Sequence, residues 1–206
     1  MVGEDSAPGW SAIDAALERL YGDAVPLHVA PELPSYLGGV EALDGISIYA
    51  REDPVPHWHL ISYGMSELYE KRSENPVDSG FGFEFTLRAA RRPAGDAPPA
   101  WAVLLIQQLS AYVLATGEWF TPGQTLRPGR LTLGDLDTRL TALGFIVDSE
   151  LGTIPTPFGG LAFLQIVALS DAEYAAAQDG NARVVLDAIG EKVPLHVIDP
   201  ARPSLW

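Results

Sequence analysis

Apolar residues recur along this chain with two periods, one close to 3.6 and one equal to 2. Between Ser11 and Tyr21 the residues Ile13, Leu17, Leu20 and Tyr21 share one side of a helix, and Gly22 follows as a natural stop. Ser11 and Asp14 have the spacing of a capping box, with Asp replacing the usual Glu. From Val25 to Pro56, Pro26, Pro31, Pro34, Pro54 and Pro56 together with Gly38-Gly39 exclude long helices, and Gly45 to Tyr49 and Trp58 to Tyr63 read as strands. The strictest alternation lies at Phe81 to Leu87. There Phe81, Phe83, Phe85 and Leu87 point to one face, Gly82, Glu84 and Thr86 to the other, and the aromatic face must be buried.

The helical period returns from Pro99 to Ala115, where Trp101, Leu104, Leu105, Leu109, Tyr112 and Val113 form a broad stripe closed by Gly117. This helix is expected to pack across the sheet, with Trp58 and Trp101 joining the phenylalanines in the core. Thr116 to Gly134, rich in Gly, Pro and Thr, reads as an ordered loop with short strands at most. Leu140 to Val147 and Leu161 to Ala168 follow as strands, the second apolar enough to be central. Ser170-Asp171-Ala172-Glu173 is a capping box that opens a helix through Ala177. Asn181 to Ile189 reads as another helix ended by Gly190, and Leu195 to Ile198 as a terminal strand. The pentapeptide Val-Pro-Leu-His-Val occurs at 25–29 and again at 193–197 without flanking similarity, which is too little for a repeat. Helices and strands interleave without regular βαβ spacing. The expected fold is therefore α+β, a single domain over residues 1–206 with a mixed or mostly antiparallel sheet flanked by helices.

Composition narrows the function. With 47% hydrophobic and 19% charged residues in 206, the chain can fill one core and bury roughly 70% of its unfolded surface. It holds no cysteine, which removes disulfides, thiolate metal sites and cysteine nucleophiles and fits a reducing cytoplasm. No secretion signal opens the sequence and no apolar run is long enough to span a bilayer, so the expectation is a cytoplasmic protein without a membrane partner. Thirteen basic against 27 acidic side chains give a net charge of -14, which repels nucleic acid and favours a basic protein partner.

Candidate chemistry is sparse. His57 and His59 share a strand face, a workable arrangement for two metal ligands, with Asp44 or Glu84 as a third. The alternative is that both imidazoles bond buried backbone beside an aromatic core, and this is the reading adopted. Glu84 and the pair Asp135 and Asp137 could do acid–base work, but nothing in the sequence converges on them. Ser62 and Ser66 lack a context that would activate a hydroxyl, and Gly80-Phe81-Gly82 is only a fragment of a dinucleotide fingerprint. No catalytic residue, metal ligand or cofactor is assigned.

Several blocks together resemble the suppressor of fused family in that family's own order. They are Tyr36-Leu37-Gly38-Gly39; Leu43-Asp44 with Ile46 to Tyr49; the run from His57 through Trp58, His59, Tyr63 and Gly64 to Tyr69; Gly80 to Arg88 with Phe81, Gly82, Phe83 and Glu84; Pro98 to Trp101; and Thr156 to Gly159 with Phe163 to Val167. The likeness runs from about Trp10 and weakens after Leu169. It implies a suppressor of fused-like domain, similar to the N-terminal of the two domains that the animal members carry. Those members restrain transcription factors by gripping an extended peptide between their domains as an added strand. By resemblance, peptide contacts fall on Tyr112, Phe120 and Gln124, where Gln124 replaces an aspartate that pairs with the peptide. One-domain relatives look bacterial, and the resemblance implies an immunity protein of a polymorphic toxin system. The expected function is a non-enzymatic protein-binding module, monomeric or weakly oligomeric, that neutralises a basic toxin. The competing readings are an adaptor for an endogenous extended peptide and a metal-dependent hydrolase using His57 and His59.

Overall fold

A computed structural model describes residues 7–32, 43–91, 97–128 and 138–206. The Tyr36 to Gly39 block and the carboxylates Asp135 and Asp137 lie outside the described residues. In chain order the elements are α1 (Pro8–Tyr21), β1 (Leu27–Val29), β2 (Gly45–Arg51), β3 (His57–Tyr63), β4 (Asp78–Ala90), α2 (Ala100–Thr116), β5 (Thr125–Leu126), β6 (Leu140–Val147), β7 (Thr153–Thr156), β8 (Gly159–Ser170), α3 (Asp171–Asp179) and α4 (Ala182–Lys192), followed by a 3-10 turn at Pro194–His196. The fold is α+β, as expected.

The strands form one sheet in the order β1-β2-β3-β4-β8-β6-β5, with β7 paired to the start of β8. Every pair is antiparallel except β4 with β8. The apolar run predicted as central is β8, between β4 and β6. One sheet face carries Leu60, Phe83, Phe85, Leu87, Phe145 and Ile166 against Trp101, Leu105, Ile106 and Leu109 of α2. The other face is shared. Ile13 and Leu17 of α1 cover Ile61, Tyr63 and Phe163, while Val185, Leu186 and Ile189 of α4 cover Ala142, Val167 and Leu169. Phe83, Phe85, Trp58 and Trp101 are buried, as expected of core aromatics. Among the described residues no helix is long and apolar enough to cross a membrane.

Several local expectations are corrected. Helix α1 starts at Pro8, whose missing N–H suits a first turn, and the Ser11 hydroxyl donates back to the Ala7 carbonyl at 3.2 Å. Asp14 therefore caps nothing and instead accepts the Tyr63 hydroxyl at 2.8 Å. Gly190 lies inside α4, because a Cβ there would stand 2.5 Å from the His196 ring; its smallness admits a neighbour and does not end the helix. Residues Leu195 to Ile198 do not form a strand. Leu195 and His196 have φ of 51° and 53°, which breaks extended backbone, and only Ile198 bridges to Ala89. Phe81 is only half-buried, because β4 bulges between Asp78 and Phe83 where Gly80 and Gly82 take positive φ.

Candidate functional site

On the face of β4 opposite the phenylalanines, Glu84, Thr86 and Arg88 are all fully buried. Cross-strand pairing sets His59 beside both Tyr49 and Arg88, and His57 beside Arg51. The turn after β6 then brings Asp148 into this patch. Its carboxylate accepts two bonds from Arg88, at 2.5 and 3.1 Å, and one from Thr86 at 2.9 Å. It also accepts the N–H groups of Glu150 and Leu151 at 2.9 and 3.1 Å, and lies 3.2 Å from His59 Nε2. Arg88 reaches on to Gln165 at 2.8 Å and Glu150 at 2.8 Å, and Gln165 donates to the Leu195 carbonyl at 2.7 Å. A single guanidinium thereby joins β4, β8, the turn after β6 and the C-terminal segment.

Protonation follows from this geometry. Burial would raise the Asp148 carboxyl, but the bonds and charge of His59 and Arg88 outweigh it and hold the group far below the usual carboxylate range. Burial lowers His59 to about 4, aided by the Arg88 charge and opposed by Asp148. The Tyr21 hydroxyl, 2.5 Å from His59 Nδ1, is itself raised by burial, so it donates to that nitrogen and leaves Nε2–H for Asp148. His57 Nδ1 donates to the Val55 carbonyl at 2.7 Å, the backbone bond expected of it. Both rings are fully buried.

The proposed third metal ligands sit elsewhere. The β2–β3 ladder runs from Gly45 opposite Tyr63 to Arg51 opposite His57, so Asp44 stands at the far end from His57. Glu84 turns toward that far end too. Its carboxylate accepts from Ser62 Oγ (2.5 Å), Gly64 N (3.0 Å), Met65 N (3.3 Å), Ser66 N (2.9 Å) and Ser66 Oγ (2.6 Å). Burial raises its pKa and these donors oppose the rise. Glu84 thus ties the turn after β3 to β4, and Ser62 and Ser66 serve as its donors. Among the described residues no group of three or more His, Cys, Asp or Glu could hold a metal ion.

The residues to which the resemblance assigns peptide contacts lie at the opposite side of the sheet. Phe120 is buried, stacked on Phe145 with centroids 4.3 Å apart, and Tyr112 stacks on its outer side at 6.0 Å. Tyr112 is 40% exposed and donates to Glu118 at 2.5 Å, so it lines the surface of α2 and stays out of the core. Trp119, in the loop after α2, is 59% exposed. Gln124 opens β5, and its side-chain oxygen accepts the Thr121 N–H at 2.8 Å, folding it onto its own turn. Strand β5 ends the sheet and pairs only with β6 among the described residues. Tyr112, Phe120 and Gln124 thus meet at one rim, where Phe120 joins the core cluster that holds Trp58 and Phe83, while His59 and Glu84 are buried on the other face of the sheet. Sequence reading missed Arg88, Asp148 and Trp119. Gln165, one polar residue in the apolar run 161–169, was the available sign of a buried polar partner.

Residues 39–203 match the family model described as suppressor of fused protein. The suppressor of fused homologs of Homo sapiens and Mus musculus are each 34% identical over 192 residues, 88% of this chain and 40% of their own length. The chain thus spans about 40% of the length of these curated relatives. Among solved structures, the Sufu protein of the Sufu-Fu complex superposes with a TM-score of 0.87 at 31% identity, covering 95% of this chain and 91% of that one. Drosophila Suppressor of Fused gives 0.81 at 34% identity, covering 92% and 48%. A suppressor of fused homolog from Neisseria gonorrhoeae gives 0.60 at 14% identity, covering 96% and 97%, a likeness of fold alone.

Proposed function

The chain belongs to the suppressor of fused family, and from this membership we propose that it is a non-enzymatic protein-binding module whose recognition face is the rim of α2 and β5. The observation that carries the proposal is the exposure of Tyr112 and Trp119 on the segment that leads from α2 into β5, a strand that pairs only with β6 among the described residues. Large aromatics are favoured anchors of protein interfaces, and a strand that ends a sheet can take an extended segment by main-chain hydrogen bonds. A relative of the same fold and 31% identity crystallised as the Sufu-Fu complex, which supports a protein as the partner class. Phe120 acts here as the buried support beneath Tyr112. Gln124 is neutral and engaged with its own turn, so a partner need not bring a cation to that position.

The biological role we favour is that of a bacterial immunity protein. A net charge of -14 speeds encounter with a basic toxin and complements its active-site surface. Co-expression with the product of the adjacent gene, followed by pull-down and a growth-rescue assay, tests this. Rescue that is lost with Trp119→Ala is expected; no complex and no rescue with any neighbouring toxin would refute the role. The second reading, an adaptor for an endogenous extended peptide, draws on β5, which ends the sheet and pairs only with β6 among the described residues. It predicts a partner from the same cell and no loss of fitness when the deletion strain competes with toxin-producing neighbours.

A further inference from the structure

Residues 201–206 are docked on the fold and are not woven into it. Just before them, Ile198 is bonded to β4 in both directions, its N–H to the Arg88 carbonyl at 2.7 Å and its carbonyl to the Ala90 N–H at 2.9 Å, and Pro200 is still buried. From Ala201 onward no residue is buried. Among the described residues, the Leu205 N–H is the one main-chain group of this segment that bonds a residue before Asp199.

The segment is held instead by side chains that meet at one carboxylate. Glu173, fully buried in the first turn of α3, takes Arg202 in a two-pronged ion pair, Nη1 to Oε1 at 2.6 Å and Nη2 to Oε2 at 2.8 Å, and accepts the Leu205 N–H at 3.0 Å. Arg202 Nη2 also donates to the Ala168 carbonyl at 3.2 Å, and the Ser204 and Ser170 hydroxyls share a bond of 2.8 Å. The Leu205 side chain packs against the cluster that holds Val167, Leu169 and Leu186. Two residues three apart are therefore read by this surface, one by a carboxylate and one by an apolar patch.

The carboxylate does not owe its position to Arg202. It also accepts the Ser170 N–H at 2.8 Å, while its own N–H bonds the Ser170 hydroxyl, and this capping box fixes Glu173 within α3. A guest thus finds its charged anchor already ordered, which lowers the cost of binding. The paired geometry selects arginine, since an ammonium offers no planar fork. Ala201, Pro203 and Trp206 are exposed and constrain the guest little.

A segment so weakly tied through its backbone can lift by a local opening, at less cost than unfolding the whole molecule. We infer that residues 201–206 are a displaceable strap over a recognition site on α3 and the end of β8. In the strap's place the site takes from a protein partner a segment of the same kind, an arginine followed three residues later by a large apolar side chain. No residue of this site belongs to the rim of α2 and β5, so the two are tested separately.

Fluorescence polarisation on the full chain provides the test, with a labelled peptide Ala-Arg-Pro-Ser-Leu-Trp, the sequence of residues 201–206. In the wild type the tethered strap competes with the peptide; in a chain carrying both Arg202→Ala and Leu205→Ala it does not. The double variant should bind the peptide about tenfold or more tighter than the wild type, because apparent affinity scales with the fraction of molecules whose site is open. A peptide with alanine in place of its arginine should not bind. A double variant with wild-type circular dichroism that binds no better than the wild type, or that binds both peptides alike, would overturn the inference. Should the double variant fail to fold, hydrogen exchange of the wild type decides: the Leu205 N–H should exchange by a local opening that dilute urea does not accelerate, far faster than the Ile198 N–H. Equal protection of the two, with the same response to urea, would make the segment part of the global fold and sink the strap.

Discussion

Replacing Asp148 by asparagine tests the buried lattice with almost no change of shape. Five donors bond the carboxylate, Thr86 Oγ1, two nitrogens of Arg88 and the N–H groups of Glu150 and Leu151, and His59 Nε2 lies 3.2 Å from it. Asparagine can keep its one oxygen on the Glu150 and Leu151 N–H groups, as its turn requires. Its NH2 then faces Thr86, Arg88 and His59, all of them donors. Breaking a buried ion pair from one side costs about 3–5 kcal/mol, and Arg88 keeps Glu150 and Gln165, so about 3 kcal/mol is expected here. For a chain of this size that corresponds to a loss of roughly 6–12 °C in Tm. Urea unfolding at neutral pH measures the first figure and a thermal scan the second. The pH dependence adds an independent sign. The folded pKa of Asp148 lies below its ordinary 3.8, so its stabilisation is present above that value and is lost as pH falls further toward the folded pKa. The stability gap between wild type and variant should therefore narrow below about pH 4. A loss under about 1 kcal/mol at pH 7, or a gap that stays constant into acid, would refute the lattice as a stabilising unit.

His59 gives the complementary titration: its folded pKa of about 4 lies below the ordinary 6.5, so the unfolded chain binds a proton that the folded one refuses. Stability should fall as pH drops from about 6.5 to about 4, and His59→Gln should flatten that slope by about 1.4 kcal/mol per pH unit; equal slopes would mean that His59 titrates normally. Phe85→Ala, at a fully buried position, should cost about 3–5 kcal/mol in urea unfolding, while Phe81→Ala, half-buried at the bulge, should cost clearly less. Trp119→Ala should change stability by less than about 0.5 kcal/mol, since the ring is 59% exposed, and yet abolish partner capture; a large destabilisation would make it a core residue.

Much of this architecture was legible from periodicity. Strand β4, helix α2 with its Gly117 stop, the Ser170 capping box and the central place of β8 all follow from local patterns that the packing reinforces. Legibility ended where meaning depended on a distant neighbour. Val-Pro-Leu-His-Val contributes an edge strand at 27–29, paired to β2, and a 3-10 turn at 194–196, so five identical residues adopt whichever conformation their surroundings impose. At the first copy His28 meets the Ser47 hydroxyl; at the second His196 meets the Leu186 carbonyl across the gap that Gly190 leaves. Polar residues at 84, 86 and 88 alternate with the phenylalanine face just as a solvated strand face would. Asp148, brought in from 60 residues away from Arg88, and the turn at 64–66, which receives Glu84, make that face an interior. The rim was placed by resemblance, since an exposed tryptophan in a loop has no periodic signature.

The parallel pairing of β4 with β8 has a consequence during translation. Strands β1 to β4 can close as a meander as soon as Ala90 has left the ribosome, since each of their pairings is antiparallel and between neighbours in sequence. The far edge of β4 must then wait for β8, which ends at Ser170, even though α2 can already cover Phe83, Phe85 and Leu87. An unpaired edge of that kind invites strands from other chains. Slow synthesis of the second half should therefore penalise soluble yield more than slow synthesis of the first.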